Sequence, residues 1–311
     1  MKKRLPYLLF LIATIIWGFA FVAQKAAIVL PAFTVGAARS GIAAIFLLAA
    51  IPFTDRLTKN GRKLFRENRM PDINRHELIG GVVLGAILSA ATGFQQTGLE
   101  NTDAGKAAFI TALYVVIVPI ISSFLGKKPS FNLWIALPLS VIGFYFLCIK
   151  DDLTIERHDV LILACALIFS GHIICVDHFS PKCDGVRMSL VQFISALIIN
   201  TILALIFGEK PSIEGWTLAW PSLLFLGIGS SGIAYTLQIL GQKEVDPAVS
   251  SMILSLESVF GVIGAALILG EHMSGREYIG SAIVLVAIFI AQLEPEFIKK
   301  LFKKQCNVNN S

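Results

Sequence analysis

Long apolar runs separated by short polar joints make up almost the whole chain. Runs of about twenty residues fall at roughly 6–24, 34–53, 78–98, 104–125, 131–149, 160–178, 188–207, 219–240, 247–269 and 277–293. Each is long enough to cross ~30 Å of hydrocarbon as a helix. Most are apolar all round and lack the two-residue alternation of a membrane barrel, so the pattern predicts an all-α integral membrane protein with ten transmembrane helices. The first run follows Met1-Lys2-Lys3-Arg4, a basic start like that of a secretory signal. Its length exceeds the 7–15 residues of an ordinary signal core, so it is read as a retained first span.

Composition sharpens this picture. Hydrophobic residues make up 55% of the 311 positions and charged ones only 15%, with a mean hydropathy of +0.75. Soluble domains carry about 25% charged residues, which argues against a soluble enzyme. The net charge of +5 is a matter of placement. With the N-terminus inside, nineteen Lys and Arg fall on the inner joints and tails and six on the outer ones, Arg39 lying within a span. This bias predicts both termini in the cytoplasm. The basic residues are a topology signal and an attraction to anionic lipid, with no case for nucleic acid. The five cysteines, Cys148, Cys165, Cys175, Cys183 and Cys306, show no metal-ligand spacing, and those in apolar runs read as small hydrophobes.

The runs divide into two matching groups of five. Gln95-x-x-Gly98-x-x-x-x-Asp103 recurs as Gln238-x-x-Gly241-x-x-x-x-Asp246, an offset of 143. Earlier in the halves the offset is 153, placing Trp17-Gly18 on Ser170-Gly171 and Arg39 on Gln192. Leu125-Gly126 and Leu269-Gly270-Glu271 match one residue out of register. Five is odd, so the second half is expected upside down relative to the first, an inverted repeat of the kind from which transporters are built. The expected units are residues 1–150, which include a basic loop at 54–77 with a short interfacial helix around Arg62–Arg69, and 151–298. A basic, disordered tail follows at 299–311.

The Trp-Gly of span 1, the Arg early in span 2, the Gln of span 7, and Leu256-Glu257 with Leu269-Gly270-Glu271 in span 9 resemble the drug/metabolite transporter superfamily. More narrowly they resemble its ten-helix EamA-type branch of tandem five-helix repeats, over about Tyr7 to Leu293. The resemblance implies a transporter of small metabolites, amino acids or drug-like solutes across a bacterial-type plasma membrane, working by alternating access, with export favoured. It also implies a central cavity lined mainly by spans 1, 3, 4, 6, 8 and 9. Two positions depart from the family pattern: Gly126-Lys127 stands where Gly-Glu is common, and His172 where a small or aromatic residue is common.

At 1.5 Å per residue, Glu257 lies roughly 15 Å into span 9, and Trp17, Tyr114 and His172 fall at similar depth. A mid-membrane carboxylate costs about 3 kcal/mol on the mildest scale, so Glu257 should face protein or water and is a candidate proton or cation carrier. The competing reading is a structural hydrogen bond from Glu257 to a neighbouring helix, contacts with the Ser255 or Ser258 backbone aside. His172 is a second candidate for proton relay or solute binding, against a merely hydrogen-bonded histidine. Trp17 and Tyr114 offer flat faces with a polar tip for aromatic or cationic solutes, or simple packing. Ser89, Thr92 and Gln96 share one face of span 3, and Ser231, Tyr235 and Gln238 one face of span 8. Each stripe could line a wet cavity or bind neighbouring helices. The candidate solute-binding set is therefore Trp17, Gln96, Tyr114, His172, Tyr235, Gln238 and Glu257. Arg39, about 8 Å from the outer surface and free to snorkel, and Asp177, at the inner end of span 6, are candidates for gating or topology. Clustered glycines in spans 3, 8 and 9 allow close helix approach, while Pro119 and Pro138 should bend spans 4 and 5.

No motif asks for a cofactor or metal. A membrane-embedded enzyme would need an HExxH or paired intramembrane Asp, and the five histidines are scattered. A sensor or scaffold would normally add a soluble domain, and the longest polar segment is only the 54–77 loop.

Overall fold

A computed structural model describes residues 5–59, 73–126, 131–148 and 156–292, and among these every regular element is a helix. The helices are α1 (Leu5–Ala26), α2 (Ala32–Lys59), α3 (Arg75–Gly98), α4 (Ala104–Thr111), α5 (Tyr114–Phe124), α6 (Phe131–Cys148), α7 (Arg157–Phe179), α8 (Gly185–Ile206), α9 (Ile213–Leu224), α10 (Tyr235–Gln242), α11 (Pro247–Leu254), α12 (Glu257–Gly264) and α13 (Gly275–Gln292). Eight helical segments are long and apolar enough to cross a bilayer: Leu5–Val29, Ala32–Arg56, Arg75–Gly98, Ala104–Phe124, Arg157–Lys182, Gly185–Ile206, Ile213–Gln242 and Pro247–Leu269. α6 and α13, each of 18 residues, stand where the fifth and tenth runs are expected. The expected interfacial helix at Arg62–Arg69 and the tail at 299–311 lie outside the described residues.

The polar joints supply the caps that the apolar runs lack. Asn74 and Glu77 form a reciprocal capping box at the start of α3, so the helix begins at Arg75, earlier than the apolar run. Glu77 Oε1 also accepts from the Asp184 backbone N–H at 2.8 Å, and Asp184 in turn caps α8. One carboxylate thus fixes the starts of two helices against each other.

Packing repeats when the first five runs are exchanged for the last five. Span 3 packs on spans 6 and 7, as span 8 packs on spans 1 and 2. Span 1 lies along span 9, as span 6 lies along span 4. The pairs 2–7, 4–9 and 5–10 are in contact and map onto themselves. The same exchange holds at atomic scale. A Cβ at Gly85 would meet the Gln192 carbonyl at 2.6 Å, and one at Gly227 would meet the Arg39 carbonyl at 3.2 Å.

Spans 4 and 9 are each interrupted at one equivalent place. In span 4 the Leu113 N–H turns back to the Ile110 carbonyl (3.2 Å) and Val115 to Ala112 (3.0 Å). In span 9 Leu256 bonds Ile253 (3.2 Å) and Ser258 bonds Ser255 (3.1 Å), the same tightened i→i+3 pattern 143 residues on. Proline, expected to be the bending element, does not cause the interruption. Pro119 sits inside α5, past the break, and span 9 makes the same break with no proline nearer than Pro247. Two other stretches, Phe225–Ala234 and Ala265–Leu269, are wound wider, as π-helix. A wide turn adds a residue to a helix of given length. This accounts for the one-residue slip between Gly126 and Gly270, both of which close their spans in the left-handed conformation (φ 89° and 67°).

Candidate functional site

The interrupted spans open onto a central cavity. Spans 1, 3, 4, 6, 8 and 9 line it, through Trp17, Ala20, Phe21 and Gln24; Gln95; Thr111 and Tyr114; Phe169, His172 and Ile173; Ser230, Tyr235 and Gln238; and Leu254 and Glu257, with Arg39 of span 2. Tyr114 and Glu257 are the first residues after their respective breaks, so the two tightened turns aim equivalent side chains into one space.

One wall is aromatic. Tyr235 stands at its centre, with ring centroids 4.7 Å from Trp17, 5.7 Å from His172 and 5.8 Å from Phe193. The wide-wound stretch before Tyr235 gives Ser230 three partners. Its carbonyl accepts from the Tyr235 N–H and from Trp17 Nε1 (3.3 Å), and its hydroxyl accepts from Arg39 Nη2 (2.8 Å). The adjacent Ser231 hydroxyl accepts from Arg39 Nε at 3.0 Å.

Several lining groups keep unused hydrogen-bonding capacity. Gln24 Oε1, Gln238 Oε1, Tyr114 Oη and His172 Nδ1 are buried and lack a hydrogen-bond partner among the described residues. Tyr114 Oη approaches the Glu257 carboxylate without completing a well-formed hydrogen bond. Buried polar atoms are normally satisfied, so these four leave the cavity wall with donors and acceptors for a polar solute.

Of the residues read from sequence as solute-binding, Trp17, Tyr114, His172, Tyr235, Gln238 and Glu257 meet in this cavity. Gln96 is not among the lining residues. Its Nε2 donates to the Gln24 carbonyl at 3.0 Å, and its neighbour Gln95 faces the space instead. The rest of the span 3 stripe is also turned away. Ser89 and Thr92 donate to carbonyls one turn back in their own helix, and Ser89 accepts from Asn200. Neither Ser255 nor Ser258 binds Glu257; each donates to a carbonyl three residues back. Arg39 does not snorkel: it is 5% exposed and is held inward by two serine hydroxyls that replace solvent around its guanidinium. Asp177 lies near the end of α7, outside the lining.

Gln24, Gln95, Thr111, Phe169 and Ser230 were missed. One of these was legible through the repeat, since Gln95 is the counterpart of Gln238. Four pairs of lining residues are related in this way: Ala20 with Ile173, Gln95 with Gln238, Thr111 with Leu254, and Tyr114 with Glu257.

Comparison with known proteins agrees with the geometry. The EamA-like transporter family matches the chain twice, over residues 4–149 and 157–292. An uncharacterized transporter of Archaeoglobus fulgidus is 31% identical over 201 residues, which span 64% of this chain and 64% of that protein. The uncharacterized transporter YoaV of Bacillus subtilis is 23% identical over 89% of this chain and 93% of its own length. A protein crystal structure superposes with a TM-score of 0.66 at 18% identity, covering 94% of this chain and 98% of the other, and so shares the fold.

Proposed function

The chain belongs to the EamA-like transporter family, a multi-pass membrane transporter by family and by its relatives, and we propose that it is a secondary carrier built from two inverted five-helix repeats. On this reading α6 and α13 complete ten spans, both termini are cytoplasmic, and the carrier exports a small solute across the plasma membrane. The observation that carries the proposal is the repeat-paired lining of the cavity. Two pseudo-equivalent bundles meeting at one site can exchange roles, opening the site to either side of the membrane in turn. The matched breaks in spans 4 and 9 give each bundle a hinge beside that site.

The two ends of the bundle supply the closures. At one end Lys106 lies 2.8 Å from Asp159, Thr102 donates to the same carboxylate, and Lys25 donates to the Leu99 and Thr102 carbonyls. These contacts join spans 1, 3, 4 and 6, all of which line the cavity. At the other end Arg187 forks onto Asp55 (3.1 and 3.2 Å), and Lys243 donates to the Cys183 carbonyl. Within the cavity the aromatic wall of Trp17 and Tyr235 holds the body of the solute, Gln95 and Gln238 offer amides, and Glu257 with His172 handles the coupling proton.

Reconstitution tests this. Proteoliposomes should show counterflow of a bound solute, accelerated by a pH gradient, and Glu257→Gln should remain in the membrane yet lose that acceleration. Counterflow with unaltered pH dependence in the variant removes Glu257 from coupling. Absence of counterflow for every solute that binds rejects the carrier.

A further inference from the structure

We propose that the solute taken by this cavity carries a carboxylate, which Arg39 receives; the proposal rests on the reading of the cavity as the solute site. Arg39 lies within a span, is buried, and lines the space. A guanidinium removed from water normally sits against a carboxylate. Here both protein partners are neutral hydroxyls, Ser231 on Nε and Ser230 on Nη2. Among the described residues no carboxylate lies within ion-pairing distance of Arg39, and Nη1 has no hydrogen-bond partner. Glu257 shares the cavity without neutralising it.

A tether between α2 and the Phe225–Ala234 stretch does not require this charge. The approach of those segments is already set by Gly227 against Ile42 and Gly232 against Phe46, where a Cβ would come within 2.5 and 2.6 Å. The guanidinium is instead a standing positive charge at the wall of an apolar and aromatic space. The Ser230 hydroxyl, having accepted from Arg39, keeps its own proton without an acceptor among the described residues. Nη1–H and the Ser230 O–H are therefore two donors left without an acceptor among the described residues, on side chains that line the cavity, and such donors beside a charge suit an oxyanion.

Charge balance selects the kind of anion. Arg39 is the only Lys or Arg among the lining residues, and Glu257 stands in the same cavity. One cation balances a monoanion; a dianionic phosphate would bring a second charge with nothing to meet it, beside an existing carboxylate. The aromatic wall next to Arg39 then accommodates an organic body, which an inorganic ion lacks.

The test uses the purified full-length protein and a panel of aliphatic and aromatic monocarboxylates and α-amino acids, each set against its own carboxamide, with sodium chloride and sodium phosphate as separate arms. Binding is read from the shift in thermal unfolding. At least one acid should bind tenfold or more tightly than its amide. Arg39→Gln should abolish that preference, Arg39→Lys should keep part of it, and Ser230→Ala should reduce it severalfold. If Arg39→Gln fails to fold, the Lys and Ala variants carry the test. The proposal is overturned if no acid outperforms its amide, if chloride or phosphate alone gives the full shift, or if the variants that fold retain the wild-type preference. Counterflow in proteoliposomes separates the two readings. Flux of amides or amines with no preference for acids overturns the carboxylate and leaves the carrier, whereas acid binding without flux of any solute overturns the carrier and leaves the Arg39 assignment.

Discussion

Spans 4 and 9 have the same backbone and different chemistry. Both tighten into an i→i+3 turn at equivalent residues, and both present the residue after the turn to the cavity. In the first half that residue is Tyr114, flanked in the lining by Thr111; in the second it is Glu257, flanked by Leu254. The helix starts differ in the same manner. Asp246 caps α11 with its own carboxylate, at 2.9 Å from the Ala248 N–H. Its counterpart Asp103 makes no side-chain cap, and the Gly105 N–H at the start of α4 is reached at 3.4 Å by Glu271, from beyond the end of span 9. Burial raises the Glu271 carboxyl above its ordinary value, against the lowering effect of the Gly105 and Ala104 N–H groups. The first-half residue matching Glu271 is Lys127, which cannot serve as a helix N-cap, so α11 depends on Asp246. The two halves share their backbone pattern and differ in the side chains that they present to the cavity.

The largest expected effect tests the scaffold itself. Gly18 and Gly171 are repeat counterparts, but their surroundings differ. A Cβ on Gly18 would lie 2.3 Å from Phe260 Cβ and 2.8 Å from the Phe260 backbone, whereas one on Gly171 meets nothing within 4 Å. Gly18→Ala should therefore cost about 1–3 kcal/mol through overpacking of α1 on α12. Gly171→Ala should be neutral or slightly stabilising, because alanine is the better helix former. Unfolding of the two purified variants decides it, and equal destabilisation would mean that the α1–α12 crossing is not as tight as described.

Next comes the pair after the breaks. Glu257→Gln should lower pH-driven transport at least tenfold, whereas Tyr114→Phe, which removes one hydroxyl with no completed hydrogen bond, should cost less than threefold. Initial rates in proteoliposomes compare them directly. Equal losses would make the two halves chemically equivalent and remove the special role of the carboxylate.

A smaller contrast separates the two polar stripes. Thr92 is the repeat counterpart of Tyr235, but it donates to the Leu88 carbonyl in its own helix while Tyr235 lines the cavity. Thr92→Val should leave transport within about twofold of wild type. Tyr235→Leu should weaken solute binding severalfold by removing the ring that joins Trp17 to His172. Binding assays on both variants test this, and a strong effect of Thr92→Val would restore the span 3 stripe to the cavity.

Run length and apolarity were enough to find the eight helical segments fit to cross a bilayer, because a bilayer admits little besides continuous helices. The repeat was legible for the same reason: Gln95 and Gln238 keep their spacing to Asp103 and Asp246 in both halves. What the sequence hid was orientation within a helix. Gln95 and Gln96 are adjacent, and only the rotation of α3, set by its packing on α7 and α8, turns one inward and the other toward Gln24. The breaks were hidden too. Ala112-Leu113 and Ser255-Leu256 contain neither Gly nor Pro, so nothing local marks them, and they show only as a feature shared between the halves. Arg39 was misplaced because depth alone was used, and its serine partners lie 191 and 192 residues away.

The smallest effect concerns positions whose shape is conserved between the halves while their chemistry is not. Spans 1 and 6 both end in a three-residue 3₁₀ turn, Ala27–Val29 and Ser180–Lys182, closed by Leu30 donating to Ala27 (3.1 Å) and Cys183 donating to Ser180 (3.2 Å). Leu30 and Cys183 are both buried, so the thiol occupies a leucine's place. Burial pushes the Cys183 thiol up to about 11, with Glu77 and Asp184 adding to the rise and Lys243 opposing it. At pH 7.5 the thiolate fraction should then be roughly a hundredfold below that of a thiol near 9, and alkylation correspondingly slow. A variant retaining only Cys183 should react with iodoacetamide at a rate that climbs about tenfold per pH unit through pH 10 and levels near 11. Fast alkylation at pH 7.5 would mean that this turn opens readily, and that the two halves differ here in packing as well as in chemistry.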